Sequence, residues 1–123
     1  MIHLIENAPS NVAAFRAEGE VTKEDYQNIV IPEVNRVISS IGHINFLLYL
    51  DTQVENFTTG AWVQDALLGL KNLSKWNRAA IVTDSDTAIT FTNGFSYFVP
   101  GEFKGFKKEL YDEALTWVSE ETL

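Results

Sequence analysis

The chain of 123 residues contains no cysteine. Disulfides, thiolate catalysis and zinc–thiolate sites are therefore excluded. Basic residues are few: 9 Lys and Arg stand against 17 Asp and Glu, giving a net charge of −8 and a pI of about 4.6. Such a balance repels nucleic-acid phosphates and gives no attraction to anionic lipid. Its ordinary role is solubility. Long apolar runs are also missing, and none approaches the roughly 20 residues that cross a bilayer. The first ten residues, MIHLIENAPS, have neither a basic segment nor an apolar core, so they do not read as a signal peptide. Internal repeats, linkers and low-complexity stretches are lacking too. The expectation is a soluble protein of a reducing cytoplasm.

What is present is a core. Hydrophobic residues make up 46% of the chain and aromatic residues 12%. A chain of this length reads as one domain over residues 1–123. It buries roughly two-thirds of its unfolded surface.

The pattern along the chain predicts an α/β architecture. Ile2–Ile5 and Val12–Ala17 read as a β-hairpin joined through Asn7-Ala8-Pro9-Ser10-Asn11. Thr22 reads as a helix N-cap with Asp25 at the capping-box position, and Val21 as a staple onto Tyr26. Tyr26, Ile29, Val30, Val34, Val37, Ile38 and Ile41 follow at helical spacing. Pro32 interrupts this stripe. It has no N–H to donate to the Asn28 carbonyl and its ring crowds that carbonyl, so a kink or break is expected at Asn28–Pro32. Gly42 stops the helix.

Ile44–Leu50 is nearly all apolar, as a strand covered on both faces should be. A loop from Asp51 to Phe57 leads to a helix capped by Thr58 or Thr59, with Trp62, Val63, Ala66, Leu67, Leu70 and Leu73 on its buried face. Ala79–Val82 is a second covered strand, predicted to lie beside Ile44–Leu50 and parallel to it. Ser85 or Asp86 reads as the cap of the next element, Thr87–Phe98. Its β-branched and aromatic residues favour strand, but a crossover after a buried parallel strand is usually helical. Helix is the reading adopted. Glu102–Phe106 reads as an edge strand. A last helix over Lys108–Glu120 is expected to turn Leu110, Tyr111, Ala114, Leu115 and Val118 inward.

Several of these segments together resemble the SpoIIAA-like family. They are Tyr26…Ile31-Pro32…Val34, the strand Asn45–Asp51, Trp62-Val63-Gln64-Asp65, Gly69-Leu70-Lys71-Asn72-Leu73, Arg78-Ala79-Ala80-Ile81-Val82-Thr83-Asp84, and Glu113-Ala114-Leu115-Thr116-Trp117-Val118. The resemblance covers nearly the whole chain. It implies a relation to STAS domains of anti-anti-sigma factors and a fold like the CRAL-TRIO lipid-binding domain. The expected architecture is a STAS-like sandwich, with a central mixed sheet of about five strands and helices packed on it. Anti-anti-sigma factors carry a phosphorylatable Ser in an Asp-Ser-Ser-Gly-like motif after the central strand. Here that loop, Asp51 to Gly60, contains no Ser, and Thr58 and Thr59 stand nearest the place. A kinase-driven switch is not expected.

Both covered strands end in carboxylates, Asp51 and Asp84. Ligands of open α/β sheets bind outside the carboxyl ends of the parallel strands, and the next helix would present free N–H groups there. The candidate binding residues are Asp51, Phe57, Thr58, Thr59, Trp62, Asp84, Phe91 and Phe95. The plain alternative is that the Asp and Thr residues serve caps and turns and that the aromatics fill the core. An aromatic-rich segment, with Phe91, Phe95, Tyr97, Phe98, Phe103 and Phe106, also suits a pocket between the third helix and the sheet. No metal or cofactor is expected, since His43 stands at the opposite strand end from the carboxylates and His3 is on the first strand. No nucleophile with a neighbouring base is visible, and no Gly-x-Ser-x-Gly elbow or phosphate loop occurs. Lys71, Lys75, Arg78, Lys104, Lys107 and Lys108 read as solvated faces. The expected function is a non-catalytic binding or regulatory module acting on a protein partner. The alternative is a carrier or sensor of a small apolar, lipid-like ligand. A homodimer is left open.

Overall fold

The computed structural model describes residues 1–51, 75–95 and 101–120. Five strands form one mixed sheet in the order β1-β2-β3-β4-β5. They are β1 (Ile2–Leu4), β2 (Ala13–Glu18), β3 (Ile44–Asp51), β4 (Trp76–Val82) and β5 (Glu102–Phe106). β1 pairs antiparallel with β2, as the hairpin pattern predicts. The pairs β2–β3, β3–β4 and β4–β5 are all parallel. The expected adjacency of the two apolar strands is therefore met, and β3 lies at the centre of the sheet.

The entry to the first helix shows how local chemistry sets structure. Thr22 Oγ1 accepts the Asp25 backbone N–H at 3.4 Å, and Asp25 Oδ2 accepts the Thr22 N–H at 2.9 Å. This reciprocal pair satisfies donors that a helix start leaves orphaned. One α turn (Lys23–Asp25) is followed by a π turn (Tyr26–Val30) and then by helix α1 (Ile31–Ile41). The break expected at Asn28–Pro32 is thus a change of hydrogen-bond register. A wider turn absorbs the missing Pro32 donor. Val30, Val34 and Val37 are buried against the sheet, each worth about 1.5–3 kcal/mol relative to exposure. Gly42 ends the helix at φ +82°, and its N–H donates to the Ile38 carbonyl at 2.8 Å. That left-handed conformation favours glycine.

Strand alternation divides the core in two. On one face, Phe15, Phe46, Leu48, Ala79 and Ile81 pack under α1. On the other, Ala14, Leu47, Ala80 and Val82 meet Ala114 and Val118 of helix α3 (Tyr111–Ser119). Of Thr87–Phe98, the segment of mixed character, the part up to Phe95 is helical, as α2 (Asp86–Phe95), and the last three residues lie outside the described residues. It packs against β5. Ser85 Oγ accepts the Ala88 N–H at 3.2 Å, which makes Ser85 the cap. Two sequence readings need correction. The last helix begins with a 3₁₀ turn (Lys108–Leu110), and Leu110 is 37% exposed instead of facing inward. β4 begins at Trp76, not Ala79, because Trp76 is itself buried between Phe46 and Phe103.

The register at the start of β4 contains a bulge. Ile44 pairs with Trp76 and Asn45 with Arg78, so Asn77 is the extra residue. Its side-chain amide donates to Asn45 Oδ1 at 2.9 Å. The fully buried Asn45 donates in turn to the Asn11 carbonyl at 3.1 Å. An amide ladder therefore spans this end of the sheet, and the neighbouring Arg78 donates to the Trp117 carbonyl at 2.6 Å.

Candidate functional site

The four parallel strands bring their carboxyl ends to one rim. Glu18 of β2 stands in register with Asp51 of β3. Val82 of β4 stands in register with Phe106 of β5, and the Thr83 N–H extends that ladder to the Phe106 carbonyl at 2.9 Å. Asp84 and Ser85 follow β4, and Lys107 and Lys108 follow β5. All the charged groups concerned thus arise from strand ends or the residues just beyond them.

These groups form a continuous ionic chain. Arg16 Nη2 lies 2.8 Å from Glu18 Oε1 and 2.5 Å from Asp51 Oδ2. The other Asp51 oxygen accepts from Lys108 Nζ at 3.1 Å. Lys108 Nζ also stands 3.9 Å from Asp84 Oδ2. The neighbouring Lys107 Nζ is 2.5 Å from Asp86 Oδ1. Lys108 is further placed 5.5 Å over the Tyr49 ring, which packs edge-on against Tyr111 at 5.6 Å. The Lys108 side chain is only 26% exposed, so its ammonium is held by packing as well as charge.

The electrostatics follow from this geometry. The hydrogen bond from Arg16, then that from Lys108, holds the Asp51 carboxyl below its ordinary pKa. The same bond raises the Arg16 guanidinium. Asp86 raises Lys107. Burial pushes the Tyr111 phenol above its ordinary pKa. The rim is therefore an assembly of fixed charges, with each named carboxylate facing a cation.

Of the residues singled out in the sequence, Asp51 and Asp84 come together, joined through Lys108. Phe57, Thr58, Thr59 and Trp62 lie outside the described residues. Phe91 and Phe95 are on α2, with side chains outside the described set. Lys107 and Lys108 are not simply solvated, as the sequence reading had them, but are the cations of the rim. Arg16 was missed altogether. The available signal was its alternation: Arg16 and Glu18 share a strand face, and a charged pair closing an otherwise apolar strand faces the strand end of a neighbour. Just before α2, Thr83 Oγ1 accepts the Ser85 N–H at 3.1 Å. Among the described residues no group of three or more His, Asp and Glu is placed to hold a metal ion, and no helix is long and apolar enough to cross a membrane.

Comparison with known proteins adds a family and a fold. The SpoIIAA-like family model matches residues 12–119. A crystal structure at 2.25 Å resolution of an uncharacterized protein from Shewanella loihica PV-4, described as having a SpoIIAA-like fold, is similar with a TM-score of 0.67. The two sequences are 30% identical, and the match covers 95% of this chain and 93% of the other. Among curated proteins nothing matches significantly.

Proposed function

The chain belongs to the SpoIIAA-like family, and from that premise we propose that it is a STAS-like binding or regulatory module that acts on a protein partner without catalysis. The observation that supports this reading is the state of Asp51. A general base works best with a pKa near the operating pH. Asp51 is instead held ionised by Arg16 and Lys108. Fixed, mutually oriented charges suit recognition, where they set register and exclude wrong partners. The binding face in this proposal is the rim formed by Arg16, Asp51, Asp84 and Lys108.

A second reading is a carrier or sensor of a small apolar ligand. It draws support from a row of rings across the sheet, Phe15, Phe46, Trp76 and Phe103, with centroids 5.3–5.5 Å apart. Within that row the buried Trp76 Nε1 finds no acceptor among the described residues. A buried donor normally has a partner.

One experiment separates the readings. Tagged wild-type protein and the variant Asp51→Asn/Lys108→Gln are purified from the native host, and each is examined by native mass spectrometry. A protein captured by the wild type and lost with the variant is the expected result. A lipid-sized adduct on both proteins, with no partner, would favour the carrier reading. Equal capture by both would remove the rim as the binding face.

A further inference from the structure

Helix α2 is a weak helix held at both ends by one short segment. Its sequence, DTAITFTNGF, mixes β-branched residues with Asn and Gly. Such residues stabilise a helix less than Ala or Leu, so its position depends on its anchors. Towards its C-terminal half, Asn93 Oδ1 accepts the Gly105 N–H at 2.9 Å, and Ile89 lies directly on Gly105. At its N-terminal end, Asp86 is paired with Lys107. Immediately before it, Asp84 faces Lys108, which also holds Asp51. Gly105, Lys107 and Lys108 thus supply every one of these contacts.

We propose that Lys107 and Lys108 form an ionic strap that holds down the front end of α2 and couples its position to the end of β3, with the Gly105–Asn93 contact as the pivot. The two anchors differ in kind. The pivot is close packing and a neutral hydrogen bond, which salt barely affects. The strap is exposed: the Asp86 side chain is 85% accessible and that of Lys107 41%. Exposed pairs are weak individually and are screened by ions. Helix α2 is therefore a hinged element whose front edge is released by ionic strength or by a competing charged group, while its rear stays docked.

The charged groups facing the strap are accounted for. Lys107 is met by Asp86, with Asp84 and Glu109 nearby. Lys108 is met by Asp51, Asp84 and the Tyr49 ring. Asp51 is also held by Arg16. The lowered Asp51 and the raised Lys107 both stay charged through the middle of the pH scale. Release in that range is a matter of salt, not of protons.

The test is amide hydrogen exchange in wild type and the variant Lys107→Gln/Lys108→Gln. It is run at about 10 mM and about 1 M sodium chloride, where the screening length falls from about 30 Å to about 3 Å. In the wild type, exchange at Ala88, Ile89 and Thr90 should rise about two- to fivefold in high salt, the range expected for losing weak exposed pairs. In the variant these amides should already exchange fast and ignore salt. Amides of Ile44–Leu50 should not change in either protein. A wild type whose α2 exchange is indifferent to salt overturns the proposal, whatever the variant does. So does a variant that keeps the wild-type salt response.

Discussion

Ile89 lies so close to Gly105 that a β-carbon added at Gly105 would stand 2.7 Å from the Ile89 Cα. Backbone cannot yield as the tip of a flexible side chain does. Gly105→Ala should therefore push α2 off β5 and cost about 1–3 kcal/mol, the usual price of overpacking. Urea unfolding should show a lower midpoint with an unchanged slope. A midpoint equal to that of the wild type would mean that α2 does not rest on β5 this closely.

Gly94 is the opposite case. It sits within α2, and a β-carbon there would meet nothing within 4 Å among the described residues. Gly94→Ala removes backbone freedom from the unfolded chain and improves helix propensity. The expected gain is about 0.5–1 kcal/mol. The thermal midpoint should rise, and exchange across Asp86–Phe95 should slow.

The same segment shows how far sequence reasoning reached. Local preference in Thr87–Phe98 pointed to strand, and only the need for a crossover between parallel strands pointed to helix. The topological argument won, and Ser85 marked the start. Apolar runs in β3 and the Thr22–Asp25 box were legible because their causes are local. The rim was half legible. Asp51 and Asp84 stand at strand ends and can be placed by counting. Their cations cannot, because Arg16 of β2 and Lys108 of the 3₁₀ turn after β5 stand 35 and 57 residues from Asp51. Only sheet order brings them together: alternation puts Arg16 on the face of Glu18 but does not name its partner on another strand.

Asn45 illustrates a polar group that the apolar pattern of β3 hides. It is fully buried and joins Asn11 to the bulge residue Asn77. Asn45→Ala leaves the Asn77 amide without its acceptor and the Asn11 carbonyl without this donor. A cost of about 1–3 kcal/mol is expected, since orphaned buried groups lose their full solvation. Asn77→Ala should cost less, because Asn77 is only half-buried and Asn45 keeps its bond to Asn11. Chemical denaturation of both variants checks the order. The reverse order would show that the bulge, not the ladder, holds this end of the sheet.

The rim also sets the shape of the stability profile with pH. Asp51 has its carboxyl lowered from 3.8 by the Arg16 hydrogen bond and then by Lys108. Burial pushes Asp25 up, but its bonds to Thr22 and the Met1 ammonium outweigh burial and lower it overall. A depressed carboxylate contributes stability above its unfolded pKa and loses it as pH falls through the folded value, because the unfolded chain then binds more protons. Lys107 works in the other direction. Asp86 raises it above 10.5, so its contribution is complete below that value and lost as pH rises through the folded one. Stability from these groups should therefore be flat from about pH 5 to about pH 9, with an acid limb below and an alkaline limb above. Asp51→Asn cannot titrate at this position. It should be less stable than wild type on the plateau and should lose less on acidification, so the two curves converge towards about pH 2. Urea midpoints measured across the pH range check this. Curves that stay parallel down to the lowest pH would show that Arg16 and Lys108 do not hold the Asp51 charge in solution.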